Sequence, residues 1–362
     1  MKVCFVSPYV HFVEMTASGN VVLARELAKC AEKIADVSII TGVDVERGGY
    51  PNVANGSLTC YRGLLRALSK NIEIVHLIDV PICLVPLFYR KTKKHRSRLI
   101  YHVWSLPEMR TKLRFYASIL RRFTDAIVCT SPRILKTLNH YIDDEKLWLI
   151  PPPINDETYK PITHAKSSID EPSILYIGSL HPARFPVVEV LKALKKIHEE
   201  GLRVTLTVVG APRYKFDSIV ISNLRKLSEE VNLERYLNIT LRRISLDEKI
   251  RLYNRADVVL FPYKSSVEDV VDPPITLLEA MSCSRIVVST KVLSIPWIIK
   301  DGLNGILCNG LSYLHIHDAL MNALSIPDKY ILQRNARKTI VERFSYRAVS
   351  KLLYNLWNEL CA

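Results

Sequence analysis

The chain has no Cys-x-x-Cys and no Cys/His pair at zinc-binding spacing. A structural zinc site needs several soft ligands close together, so none is expected. The eight cysteines are scattered, and several, such as Cys4 and Cys129, sit inside apolar strand patterns. They read as reduced core residues of a cytoplasmic protein. Gly-x-Gly-x-x-Gly is also absent, and with it the dinucleotide fingerprint. The most apolar long stretch, Ile72 to Tyr89, contains Glu73, His76, Asp79 and two prolines, so it fails as a membrane span. The opening Lys2-Val-Cys-Phe-Val-Ser7 reads as a short strand running into a loop, not a signal peptide. The net charge is +14, but no recognisable nucleic-acid module accompanies it, so no nucleic-acid partner is expected.

What is present is a repeating alternation of short apolar strands and helices over 362 residues, 48% of them hydrophobic. That is enough for two domains with real cores. The strands of the first half are placed at Val3–Ser7, Val37–Thr41, Ile72–Leu77, Arg98–Val103 and Ala126–Thr130. Those of the second half are Ser173–Ser179, Arg203–Val209, Leu237–Leu241 and the run into Pro262. In the helix from Val187, residues Val187, Val190, Leu191, Leu194 and Ile197 fall on one side. Strands alternating with helices predict an α/β fold of two doubly wound parallel sheets. The predicted bounds are residues 1–155 for the first domain, 156–172 for a Pro- and Ser-rich linker, 173–344 for the second domain, and 345–362 for a last helix carrying Val349, Leu352, Leu353 and Leu356.

The most informative segment is Asp272-Pro-Pro-Ile-Thr-Leu-Leu-Glu-Ala-Met-Ser-Cys283. A strand leads to a polar loop, and two prolines open a helix, where a missing N–H costs nothing. The N–H groups of Ile275, Thr276 and Leu277 would point out of that helix end and offer a seat to a diphosphate. Glu279 follows, as an acceptor for the two hydroxyls of a ribose. Together these read as a nucleotide-sugar site.

Leu277-Leu-Glu-Ala-Met-Ser-Cys283 is similar to the second half of "E-G-F-G-L-V-L-L-E-A-M-A-C-G", the signature of the retaining glycosyltransferases of family 4, which have the GT-B fold. Leu149-Ile-Pro-Pro-Pro-Ile-Asn155, Ile174-Leu-Tyr-Ile-Gly-Ser-Leu180, the stretch from Ser245 to Pro262, and Ile295 through Gly305 resemble four further family segments in the same order. The resemblance implies two Rossmann-like domains facing a cleft, the first for the acceptor and the second for the donor, with the last helix returning to the first domain. It implies transfer of a hexose from a nucleotide-diphosphate sugar with retention of configuration. Asp-x-Asp, common in metal-dependent transferases, is absent, so neither a catalytic metal nor a cofactor is expected.

The chain departs from the family at two charged positions. Val271 stands where the signature has its first Glu, with Asp272 one step away. Asp272 is the candidate for contacting the transferred sugar; the competing reading is a turn residue before Pro273. Ser179 replaces an arginine of the diphosphate clamp, while Arg184 stands at its lysine, with His181 or Lys264 as compensating cations. These departures favour an alternative, a non-catalytic homologue that binds sugar or partners. In the first domain, Ser18 and Gly19 lie at the turn that approaches the donor in the family, although Ser18 also reads as a helix cap. His102, at the end of its strand, is a candidate active-site residue or else a buried strand histidine.

Between Arg90 and Arg122 stand eleven Lys and Arg residues against Glu108 alone. Within this stretch Thr111–Asp125 reads as an amphipathic helix with Leu113, Tyr116, Leu120 and Phe123 on one side. Each cation near an anionic leaflet contributes about 1 kcal/mol. The expectation is peripheral attachment to the inner face of the cell membrane through 90–122, with a lipid-linked or glycan acceptor.

Overall fold

The computed structural model describes residues 1–8, 19–41, 53–162, 171–210, 215–265 and 270–362. They form two six-stranded, wholly parallel sheets. In the first, β1 (Lys2–Ser7), β2 (Asp36–Thr41), β3 (Ile74–Ile78), β4 (Arg98–Val103), β5 (Ala126–Cys129) and β6 (Leu147–Leu149) lie in the order β2-β1-β3-β4-β5-β6. In the second, β7 (Ser173–Ile177), β8 (Thr205–Gly210), β9 (Leu237–Leu241), β10 (Val258–Phe261), β11 (Ile286–Thr290) and β12 (Ile306–Cys308) lie in the order β12-β11-β10-β7-β8-β9. This is the doubly wound α/β architecture expected from the sequence. The central strands are buried on both faces, which is why they read as continuous apolar runs. The late strands β11 and β12 were not separated by the sequence pattern.

Helices cover both faces. Those of the first half are α1 (Gly19–Ala31), α2 (Val53–Leu68), α3 (Val85–Lys94), α4 (Arg110–Phe123) and α5 (Pro132–Leu138). The second half adds α6 (Val187–Glu199), α7 (Lys215–Glu230), α8 (Leu246–Arg255), α9 (Ile275–Ser282), α10 (Ile295–Ile298), α11 (Tyr313–Ser325), α12 (Lys329–Arg343) and α13 (Tyr346–Cys361). Serine caps set several starts: Ser131, Ser245 and Ser345 each accept the N–H three residues on.

The helix α13 returns to the first domain, as the family resemblance implied. Its Tyr346 hydroxyl donates to Glu26 of α1 at 2.5 Å, and its Trp357 indole donates to His76 of β3 at 2.8 Å. Trp357 is fully buried, so a large aromatic face and a satisfied N–H both tie the chain end to the first sheet. Residues 156–162 lie against the second domain. Arg337 donates to the carbonyls of Asp156, Tyr159 and Ser282, and Asn254 bridges Lys160 and Ile162.

Candidate functional site

The second sheet reverses its strand order between β7 and β10. In doubly wound sheets the crevice at that reversal, outside the carboxyl ends of the strands, is where ligands bind. The loop after β7 is wound tightly there. The Tyr176 hydroxyl donates to the Ser179 carbonyl at 2.5 Å, Ala183 N–H donates to His181 Nδ1 at 3.2 Å, and Arg184 N–H donates to the His181 carbonyl at 2.7 Å. Gly178 permits this winding, since a Cβ on it would lie 2.9 Å from the Tyr176 hydroxyl. The loop after β10 is pinned to the same place by Lys264 N–H, which donates to the Ala183 carbonyl at 2.7 Å.

Tyr263 joins this loop to α9. It is buried beside Arg184 and its phenol is hydrogen-bonded to the Thr276 side chain. Burial pushes the phenol's pKa up, and Arg184 and Thr276 hold it back. Half-buried Arg184, half-buried Lys264 and the first turn of α9 are thereby brought together where the strand order reverses. Two cations and a helix end in one place suit a diphosphate.

The helix end itself differs from expectation in one donor. Leu277 N–H turns back to the Pro274 carbonyl at 3.1 Å. A tight first turn satisfies it internally. Among the described residues, the N–H groups of Ile275 and Thr276 make no backbone hydrogen bond, and they are the open pair.

Glu279 is a larger correction. Its carboxylate is 1% exposed, paired with Lys249 Nζ at 2.5 Å and accepting from the Tyr253 hydroxyl at 2.9 Å. Tyr159 also faces it, and burial, together with this neighbouring carboxylate, drives the Tyr159 phenol's pKa well up. In this structure Glu279 is committed to the framework behind α9 and is not presented as an open ribose acceptor. Glu279 lies one turn along α9 from Ile275, and Lys249 and Tyr253 of α8 hold its carboxylate inside the domain.

Asp272 is likewise spoken for. It is fully buried between the domains. One carboxylate oxygen accepts from Ser294 N–H at 2.8 Å. The other accepts from the Ser131 hydroxyl at 2.9 Å, Arg133 Nε at 2.8 Å and the Ser294 hydroxyl at 3.1 Å. Its backbone N–H donates to the Trp104 carbonyl at 3.0 Å, and its carbonyl accepts from Thr130 at 2.6 Å. The predicted sugar contact is here an interdomain strut. Thr130, Ser131 and Arg133 follow β5 by at most four residues, so the strut lands on the carboxyl ends of the first sheet. Trp104, at the end of β4, donates to Asp79 at 3.0 Å, and Asp79 is held at φ 64°, a region Asp tolerates better than most residues.

His102 is not at the crevice. It is 1% exposed on the face of β4 that packs toward α13, with Nε2 2.6 Å from His76 Nδ1. Since the Trp357 indole can only donate, His76 Nε2 must accept. A neutral His76 then carries its proton on Nδ1 and donates to His102. One indole thus fixes two tautomers in series, and His102 Nδ1 is left buried without a partner. Of the turn residues, Gly19 opens α1, and Ser18 lies outside the described residues.

This pair makes an acid-sensitive core. Burial pushes the His102 imidazole's pKa down to about 3 and lowers that of His76 well below the ordinary value. Unfolding lets both take up protons near pH 6.5. Their contribution is therefore complete above that pH and is lost as pH falls toward 3, by up to about 1.4 kcal/mol per pH unit for each ring. Urea denaturation between pH 7.5 and 4.5 should show a shallower loss of stability in His102→Leu than in the parent. Parallel curves would contradict the assignment.

Residues 171–325, which hold β7 to α11 and the whole crevice, match the family described as Glycosyl transferases group 1. This half of the chain is similar to the group 1 glycosyl transferases. Curated relatives of this chain include the D-inositol 3-phosphate glycosyltransferases of Mycobacterium sp. (strain KMS) and Corynebacterium jeikeium (strain K411), 24% and 27% identical over 192 residues. Each match covers 51% of this chain and 41% or 43% of the relative, so the chain spans less than half the length of these relatives. Among solved structures, the Anabaena HepE protein in complex with UDP superposes with a TM-score of 0.78 at 15% identity, covering 99% of this chain and 100% of that one. Sucrose-phosphate synthase from Thermosynechococcus elongatus gives 0.77 at 16%, covering 99% and 98%. Two doubly wound sheets that superpose on these neighbours over 99% of the chain make the fold GT-B.

Among the described residues, no group of three or more His, Cys, Asp or Glu side chains is placed to hold a metal ion. No helix among them is long and apolar enough to cross a membrane.

The sequence reading missed Lys249, Tyr253, Tyr263, Arg133 and Ser294. Nothing local connects Ser131 to a carboxylate 141 residues away.

Proposed function

We propose that this chain is a retaining, metal-independent family 4 glycosyltransferase that moves a hexose from a nucleotide-diphosphate sugar to a lipid-linked or glycan acceptor at the cytoplasmic membrane face. The observation that carries the reading is the crevice at the β7–β10 reversal, where Arg184, Lys264 and the start of α9 converge within the segment similar to the group 1 glycosyl transferases. HepE, which shares the fold, binds UDP and UDP-glucose, and that supports a nucleotide-sugar donor here. In the proposed reaction the anomeric C–O bond to the diphosphate breaks while Arg184 and the α9 end stabilise the departing oxygens. The leaving phosphate takes the proton of the acceptor hydroxyl, and the new C–O bond forms on the same face of the sugar.

A specific observation favours the competing reading, a sugar-binding homologue without catalysis: Asp272 and Glu279, the two carboxylates nearest the signature positions, are both buried and paired. Turnover distinguishes the two.

Thermal unfolding in a panel of nucleotide-diphosphate sugars should identify a donor, since a ligand at 100 times its Kd adds about 2.7 kcal/mol of stability. With that donor, Arg184→Ala should lower kcat roughly a hundredfold, because its charge matters most as the diphosphate leaves. No stabilisation by any nucleotide sugar refutes the donor assignment. Binding without transfer or donor hydrolysis selects the non-catalytic homologue.

A further inference from the structure

The basic stretch 90–122 does not form one surface. Helices α3 and α4 run opposite to the parallel strands they connect, so each begins at the carboxyl end of the sheet and finishes at the other. Arg121 lies about 16 Å along α4 from Arg110. At the far end the charges are partly engaged: Lys93 pairs with Asp125 at 2.6 Å, and Arg98 lies 4.0 Å from the same carboxylate. At the near end Arg110, Lys112 and Arg114 are exposed and have no ion pair among the described residues.

Between these near-end cations lies a cavity of about 440 Å³, lined by Ile82, Pro107, Thr111, Lys112, Phe115 and Tyr116. Its walls are mainly apolar, and two large apolar side chains stand in water around it, Phe115 at 56% exposure and Met109 at 57%. The sequence here works against helix stability. Met109 occupies the N-cap position with no side-chain cap bond, and no acidic residue stands in the first turn, where Arg110 and Lys112 oppose the helix dipole. Ile82 follows β3 by four residues and Pro107 follows β4 by four. The cavity therefore opens at the carboxyl ends of the first sheet, the same edge at which Trp104 and Thr130 meet Asp272.

We infer that this cavity holds the hydrocarbon chain of a membrane-borne acceptor whose anionic headgroup is met by Lys112, Arg110 and Arg114. The inference rests on the glycosyltransferase reading and names its acceptor as a single-chain lipid phosphate. The apolar walls fit the chain, the unpaired cations fit the phosphate, and the position beside the interdomain edge brings the head toward the crevice. The far-end cations take no part in this contact.

Calorimetric titration of the purified full chain with octyl phosphate, below its micelle concentration, tests this against octanol and inorganic phosphate. Octyl phosphate should bind at least tenfold more tightly than either. Phe115→Ser should weaken it at least tenfold, and Lys112→Ser should weaken it and flatten its salt dependence, while Lys93→Ser leaves it unchanged. Phe115 is more than half exposed, so its variant should fold; Thr111→Trp, which fills the cavity, is an independent second variant. The inference is overturned if inorganic phosphate binds as well as octyl phosphate, if Phe115→Ser and Thr111→Trp leave binding intact, or if sedimentation shows a dimer that Phe115→Ser dissolves. Nucleotide-sugar binding measured in the same variants separates the two claims: loss of octyl phosphate binding with donor binding intact leaves the donor site standing.

Discussion

Asp272→Ala should lower the stability of the protein by about 3 kcal/mol and loosen the two domains from each other. The residue is fully buried and its carboxylate takes four hydrogen bonds, from Ser131, Arg133 and two groups of Ser294. Removing it strands the buried donors of Ser131 and Ser294, at about 1–3 kcal/mol for each unsatisfied group. Arg133, with a side chain 43% exposed, can turn to water, which keeps the loss at the lower end of the 3–5 kcal/mol typical of a broken buried pair. Ser131 and Arg133 belong to the first domain and Ser294 to the second, so the variant should also show a larger radius of gyration by small-angle scattering. Asp272→Asn keeps the shape and part of the bonding and should fall between. An unchanged urea midpoint together with unchanged scattering would show that the strut carries no load.

The second large effect is expected behind α9. Lys249→Met leaves the Glu279 carboxylate, 1% exposed, without its cation. The Tyr253 hydroxyl alone does not replace the charge, and a destabilisation of about 3–5 kcal/mol follows. Lys249 also lies 5.7 Å from the Tyr159 ring centroid and 6.0 Å from that of Tyr253, so part of the loss is cation–π attraction. The double variant Lys249→Met/Glu279→Leu should recover most of the stability, because a buried pair replaced by apolar groups of similar volume is often neutral. A double-mutant cycle in urea reads this coupling directly. If Lys249→Met alone is harmless, Glu279 is not held by the pair.

The sequence by itself determined the fold class. Parallel strands buried on both faces must be apolar throughout, and β1, β3, β4, β5, β7 and β10 show that in their residues. Pro273 and Pro274 marked the start of α9, since a helix-opening proline acts within a few residues. The segment 272–283 was read as a diphosphate seat, and folding brings the loops that carry Arg184 and Lys264 beside the start of α9. Only tertiary structure decided what the charged groups touch. Glu279 resembled an open acceptor until Lys249, 30 positions earlier, was brought against it by the packing of α8 behind α9. Asp272 resembled a sugar ligand until folding placed Ser131 and Arg133 of the other domain around it. His102 and His76 lie on adjacent strands, and Trp357 reaches them only because the last helix crosses back. The basic run 90–122 was continuous in sequence, but helices antiparallel to their strands carried its charges to opposite ends of the sheet. Periodicity and capping are local and can be read from neighbours, whereas the state of a carboxylate or an imidazole depends on partners that the chain assembles from far apart.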